Sequence, residues 1–112
     1  MPYLKLKTNK DISNKEEIVK KLSKNIANEL GKPESYVMVS LEKDITISMA
    51  GTTDSAAYVE LKSIGLASNA TAKLSEVICS LLSDIAGISS DRIYIVFSDV
   101  ERNMWGWNGD IF

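Results

Sequence analysis

From Tyr3 to Thr8 the chain alternates apolar and charged residues, with Leu4 and Leu6 set between Lys5 and Lys7. That period of two predicts a strand with one wet face. The period then lengthens. Ile18, Val19, Leu22, Ile26 and Leu30 recur at helical spacing, and Ser13 stands three residues ahead of Glu16, the spacing of a capping box. Gly31 and Pro33 end this first helix. Strand composition returns at Tyr36 to Leu41, and a shorter apolar run, Ile45 to Met49, follows a break at Lys43 and Asp44. Gly51-Thr52-Thr53-Asp54 reads as a turn, and Tyr58 to Ile64 as a strand closed by Gly65. A second helix carries Leu74, Val77, Ile78, Leu81, Leu82 and Ile85, with Asn69 as its expected cap and Gly87 at its end. Ile93 to Phe97 is the strand after it.

Shifting the sequence by half its length lays Gly31 on Gly87, Val37 on Ile93, Val39 on Ile95 and Leu41 on Phe97. The same shift lays Ile18, Leu22 and Ile26 on Leu74, Ile78 and Leu82. A strand-helix-strand unit written twice, over residues 2–56 and 57–112, predicts a single domain spanning residues 1–112. Its class is α/β in the two-layer α+β sense: a four-stranded mixed sheet with both helices on one face. Two short runs, Ile45 to Met49 and Met104 to Trp107, fall outside the repeat as extra strands. The uncovered sheet face is either wet or buried by another chain. Short extra strands suited to a neighbour's edge favour a closed oligomer over a monomer.

Composition narrows the chemistry. The chain has 112 residues, 45% hydrophobic and 25% charged, the balance of one globular domain that needs no disulfide or metal to form a core. A net charge of −2 without a basic run argues against nucleic acid as a partner. No apolar stretch approaches the roughly 20 residues of a membrane span, and no signal-like segment precedes Lys5 and Lys7. The expected location is cytoplasmic, with unconventional secretion leaving no mark in sequence. There is no histidine and one cysteine, so Ser-His and Cys-His pairs and ordinary zinc sites are excluded. Cys79, beside Ile78 and Leu82, reads as a small buried thiol. Pro2 has two readings: the start of a strand, where a missing N–H costs nothing, or, after removal of Met1, a terminal secondary amine able to act as a base.

Met1-Pro2, Thr8-Asn9, Gly31-Lys32-Pro33, Ser63-Ile64-Gly65, Asp91-Arg92-Ile93-Tyr94-Ile95, Trp105-Gly106-Trp107-Asn108 and Phe112 follow one another in this order along the chain. Together they resemble the macrophage migration inhibitory factor and D-dopachrome tautomerase family. The resemblance implies a homotrimer whose sheets line a central barrel, and a cofactor-independent, metal-free phenylpyruvate tautomerase with sites between subunits. Its substrates would be small aromatic α-keto acids. It also implies an alternative, a cytokine-like protein that engages a host receptor. Carried over to this sequence, Pro2 becomes the general acid/base. Lys32 binds the substrate carboxylate, against its plainer reading as a cation at a helix end. Ser63 and Ile64 form the pocket wall or simply end a strand. Tyr94 reaches in from the neighbouring subunit or is an ordinary strand tyrosine. Trp105, Trp107 and Phe112 supply an aromatic rim or hold subunits together.

Three departures qualify the resemblance. The animal factor carries Cys-x-x-Cys where this chain has Ala56-Ala57-Tyr58-Val59, so thiol oxidoreductase activity is not expected. The animal factor has an asparagine two residues beyond the pocket tyrosine, whereas this chain has Val96, and Trp105 replaces a smaller apolar residue at the pocket mouth. Replacing Val96 by Asn is therefore expected to raise turnover of hydroxyphenylpyruvate relative to phenylpyruvate. An unchanged ratio of kcat/KM for the two substrates removes Val96 from the account of specificity.

Overall fold

The alternating stretch at the start of the chain becomes a central strand of the sheet. In a computed structural model, which describes residues 1–112, β1 (Tyr3–Thr8) pairs with β2 (Met38–Glu42) in parallel and with β3 (Ala57–Ile64) antiparallel. β3 pairs in parallel with β4 (Ile93–Val100), so the order is β2-β1-β3-β4. Between the paired strands run α1 (Lys15–Leu30) and α2 (Thr71–Ala86). A small hairpin, β5 (Gly106–Trp107) with β6 (Asp110–Ile111), closes the chain.

Strand parity divides the sheet into two faces. Leu4, Leu6, Val59, Leu61 and Ile93 turn inward and share one core with Ile18, Leu22 and Ile26 of α1 and Leu74, Ile78 and Leu82 of α2. Both helices therefore cover the same face. The other face carries a polar network. Lys5 meets Glu60 at 3.5 Å, Lys7 meets Glu42 at 3.9 Å, and the Tyr3 hydroxyl bonds the Ser40 hydroxyl at 2.6 Å. Tyr58 donates its hydroxyl to Glu60 at 3.0 Å, which raises the phenol pKa and, with help from Lys5, lowers that of the carboxyl.

The two helices begin and end 56 residues apart, as do the 3-10 turns Glu34–Tyr36 and Ser90–Arg92. Gly31 and Gly87 end the helices at φ 63 and 66, in the left-handed region that only glycine enters cheaply. Within this frame several local expectations change. Ser13 does not cap α1: Asn14 holds the cap position with no side-chain cap bond, and its amide instead reaches the Ile85 carbonyl of α2 at 3.3 Å. The side chain is thereby drawn toward α2, and its Oδ1, the atom that would accept a cap bond, makes none. Asn69 lies in a 3-10 turn, Ser68–Ala70, and α2 starts only at Thr71 behind Ala70. Tyr36 sits in the 3-10 turn opened by Pro33, so β2 begins at Met38. β4 runs on to Val100 because Ser98 and Asp99 find partners in Lys62 and Ser63. Ile45 to Met49 forms no strand. Asp44 turns the chain at φ 63, and without a sheet edge beside it the segment makes only the bridge between Met49 and Thr52. Cys79 is half-buried rather than fully enclosed, and burial raises its thiol pKa.

The segment around that bridge is held by two side chains, Asn9, whose amide donates to the Thr53 and Asp54 carbonyls at 3.1 and 3.2 Å, and Arg92. Arg92 donates to the carbonyls of Ser55 at 3.0 Å, Met49 at 3.2 Å, Asp54 at 3.1 Å and Thr52 at 3.4 Å. A planar fork is required to reach carbonyls lying in several directions, and an ammonium cannot replace it. Arg92→Lys is expected to speed amide hydrogen exchange across residues 49–55 while the protection of α1 and α2 stays as it was. Equal loss of protection in the helices would mean that Arg92 supports the whole fold and not this loop.

Candidate active site

Pro2 sits one step before β1, and its place follows from the strand pairing on both sides. Its carbonyl accepts the Met38 N–H at 3.0 Å, which ties it to β2. On the other side, extending the antiparallel register beyond Tyr3 and Lys62 sets Pro2 opposite Ser63 and Met1 opposite Ile64. Pro2 is buried. No ladder bond is lost there, because the N–H that proline lacks falls outside the paired residues.

Beside it opens a cavity of ≈ 590 Å³, lined by 14 residues of which 10 are hydrophobic. That volume and apolar lining are those of a small-molecule pocket. Met1, Pro2 and Tyr3 form one end; Tyr36, Val37 and Met38 form one side; Val100 and Lys62 stand at the ends of β4 and β3; and Met104, Trp105, Trp107 and Phe112 close it from the C-terminal hairpin. The hairpin reaches this position by a tight turn at Asn108 and Gly109, both at positive φ (54 and 77), and by the Phe112 N–H bonding the Trp105 carbonyl at 3.1 Å. Its rings then pack with Tyr36. Tyr36 meets Trp107 and Phe112 edge-on at 5.7 Å, and those two stack on each other at 5.5 Å.

The charged groups at the Pro2 end are few. Gly31 turns the chain out of α1, and the Lys32 ammonium lands on the Ile64 carbonyl at 2.6 Å, leaving two of its three donors free. Burial lowers the Lys32 pKa, the Arg102 charge lowers it further, and Asp99 acts in the opposite direction. Asp99 is itself engaged, accepting the Leu66 N–H at 3.0 Å. The terminal amine, borne here by Met1, is held below its ordinary 8.0, first by burial and then by the Lys32 charge. With Met1 attached, the Pro2 nitrogen is an amide. Its removal hands the amine to Pro2, in the same low-dielectric end of the cavity.

Four of the nine residues singled out in the sequence, Pro2, Trp105, Trp107 and Phe112, line the cavity. Lys32 and Ile64 meet each other behind its Pro2 end, next to Ser63, but do not line it. Ser63 is fully buried on the helix side of β3, so its hydroxyl faces the core. Tyr94 and Val96 are 66% and 47% exposed on the uncovered face of β4. Tyr94 lies six residues back from Val100, about 20 Å along an extended strand, and so does not join the cavity of its own chain. Tyr36, Met38 and Lys62 were not anticipated. Met38 had a signal: it is an apolar residue at the outward parity of a strand whose Val39 and Leu41 pack inward. Lys62 had none, since a lysine on a wet strand face is unremarkable.

Residues 1–112 match the family model described as macrophage migration inhibitory factor (MIF). A macrophage migration inhibitory factor of Rattus norvegicus is 37% identical over 98 residues, 87% of this chain and 85% of its own. A homolog from Brugia malayi is 35% identical over 114 residues, covering 100% of this chain and 99% of its own. Among solved structures, the homologue from Prochlorococcus marinus superposes with a TM-score of 0.94 at 38% identity, covering 98% of each chain. The like protein of Entamoeba histolytica gives 0.93 at 28% identity, covering 99% of this chain and 98% of that one.

The ring cluster predicts its own disruption. Edge-on aromatic pairs contribute on the order of 0.5–1.5 kcal/mol beyond their buried area. Tyr36→Leu removes two of them, so the near-ultraviolet circular dichroism of the tryptophans should fall and amides of residues 106–111 should exchange faster, while the four-stranded sheet remains protected. Unchanged tryptophan dichroism would mean that the hairpin is held by its backbone alone.

Proposed function

This chain belongs to the macrophage migration inhibitory factor family, and we propose that it is a phenylpyruvate-type keto-enol tautomerase that uses Pro2, freed of Met1, as its acid/base. The observation that carries this reading is the position of the terminal amine: it opens into an apolar cavity where burial and Lys32 together hold its pKa down. A base must be unprotonated near neutral pH, and this end of the cavity favours that form.

In the proposed step the Pro2 nitrogen takes a proton from the carbon beside the keto group. The electron pair left on carbon becomes the C=C bond, and the carbonyl π pair moves onto oxygen. The Pro2 ammonium then returns the proton to that oxygen, so the base is regenerated and no cofactor is consumed. A positioned acid/base of this kind contributes on the order of 10² to 10⁴ in rate. Lys32 has donors to spare for the substrate carboxylate, and the Ile64 N–H is assigned to the oxygen on which charge grows. Ser63, facing the core, supports the wall and does not contact the substrate. The ring cluster of Tyr36, Trp107 and Phe112, with Trp105, suits an aryl group.

Tyr94 and Val96 take part only if a second copy brings them to the cavity, and their exposure on an uncovered sheet face supports a homotrimer. No helix is long and apolar enough to cross a membrane.

Protein whose N-terminus is verified as Pro2 should ketonise enol-phenylpyruvate about 10²-fold faster than its Pro2→Gly version. Equal rates would remove Pro2 from the chemistry. Because the base works unprotonated, kcat/KM should be full above the amine pKa and lost as pH falls through it, with the limb lying below the ordinary value for a terminal amine. Lys32→Gln should move that limb upward, but only part of the way, since burial is the larger cause and remains. A limb that does not move would show that the Lys32 charge does not reach the amine.

A further inference from the structure

Lys62 is the one cationic side chain that lines the cavity. It is exposed, and its ammonium takes part in no ion pair and no side-chain hydrogen bond. Its neighbours explain why. Glu60, two residues back on the same face, feels the Lys62 charge but makes its contacts with Lys5 at 3.5 Å and Tyr58 at 3.0 Å. Tyr3, directly opposite on β1, is bonded to Ser40, and the partner on β4 is the neutral Ser98. Ser63, which the register sets opposite Pro2, is the next residue along β3, so Lys62 belongs to the same end of the cavity as the terminal amine.

Lys32 is at that end too, with Arg102 close enough for its charge to bear on Lys32. Arg102 is exposed and has no ion-pair partner. The single carboxylate there that bears on Lys32, Asp99, is occupied by the Leu66 N–H. In a chain of net charge −2, this end of the cavity has more positive charge than one carboxylate can balance. One substrate carboxylate, bound by Lys32, leaves the Lys62 ammonium without a direct anionic contact.

We propose that Lys62 is a second anion anchor, and that the cavity takes α-keto acids bearing a second acidic group close to the keto end, with an apolar or aryl remainder against the ring cluster. This deepens the tautomerase reading and rests on it for the identity of the keto acid, but binding can be tested without turnover. Both tryptophans of the chain, Trp105 and Trp107, line the cavity, so their fluorescence reports occupancy.

Two unreactive probes that differ by one carboxylate, phenylsuccinate and 3-phenylpropanoate, are titrated against tryptophan emission. For the native protein phenylsuccinate should bind about fivefold more tightly, the upper range for a solvent-exposed charge pair. Lys62→Gln should abolish that preference, Lys62→Arg should retain most of it, and Lys32→Gln should weaken both probes alike. Equal affinities in the native protein overturn the proposal. So does a preference that survives Lys62→Gln, which would assign the second charge to Arg102 or to a neighbouring copy, and so does a failure of both probes to bind. Failure of the Pro2→Gly comparison with phenylpyruvate, by contrast, leaves these affinities untouched, because neither probe is deprotonated at carbon.

Discussion

The whole arrangement depends on β1 being paired on both sides. A strand at the edge of a sheet leaves one row of its backbone groups to solvent, and its first residues fray. β1 is held by β2 in parallel and β3 antiparallel, and even its preceding residue is fastened, through the bond from Met38 to the Pro2 carbonyl. An N-terminus is ordinarily the least ordered part of a chain. Here it is fixed to the centre of the sheet, and a terminal amine can be given a definite environment only because of that pairing.

The second constraint is a division of labour between two halves of similar design. Each half ends in a segment that folds back onto the 3-10 turn of the other half. Arg92 grips residues 49–55 through four carbonyls, and Tyr36, at the corresponding place in the first half, meets the rings of Trp107 and Phe112. The two solutions differ chemically. Arginine fills its loop with hydrogen bonds and leaves no room, whereas tyrosine offers a ring edge and leaves a cavity. One repeat position occupied by Arg in one half and Tyr in the other therefore helps decide why the pocket lies only at the Pro2 end.

Charge is distributed to match. On the uncovered face of the sheet, lysines and glutamates find one another, as Lys5 does with Glu60 and Lys7 with Glu42. Around the Pro2 end no such ion pair forms, and Asp99, the carboxylate that bears on Lys32, accepts a backbone N–H instead. Unbalanced positive charge beside an apolar cavity lowers the pKa of an amine and attracts an anion, and both effects serve the proposed chemistry.

Periodicity alone was enough to read the four long strands, the two helices and the single covered face, because inward parity and helical spacing record which residues must leave water. Pro2 was legible as a candidate because no other residue can supply a secondary amine, whereas the C-terminal aromatics became candidates only through the family resemblance. The helix starts were not legible: Asn14 is a competent cap whose side chain is drawn toward α2, and no local pattern encodes a bond between residues so far apart in sequence. Nor could sequence say that Tyr36 belongs with Trp107, that Lys62 stands unpaired, or that Ile45 to Met49 lacks a strand partner within its own chain. Those facts depend on which surfaces meet after the sheet has formed, and side-chain alternation carries the direction in which a residue points but not what it will find there.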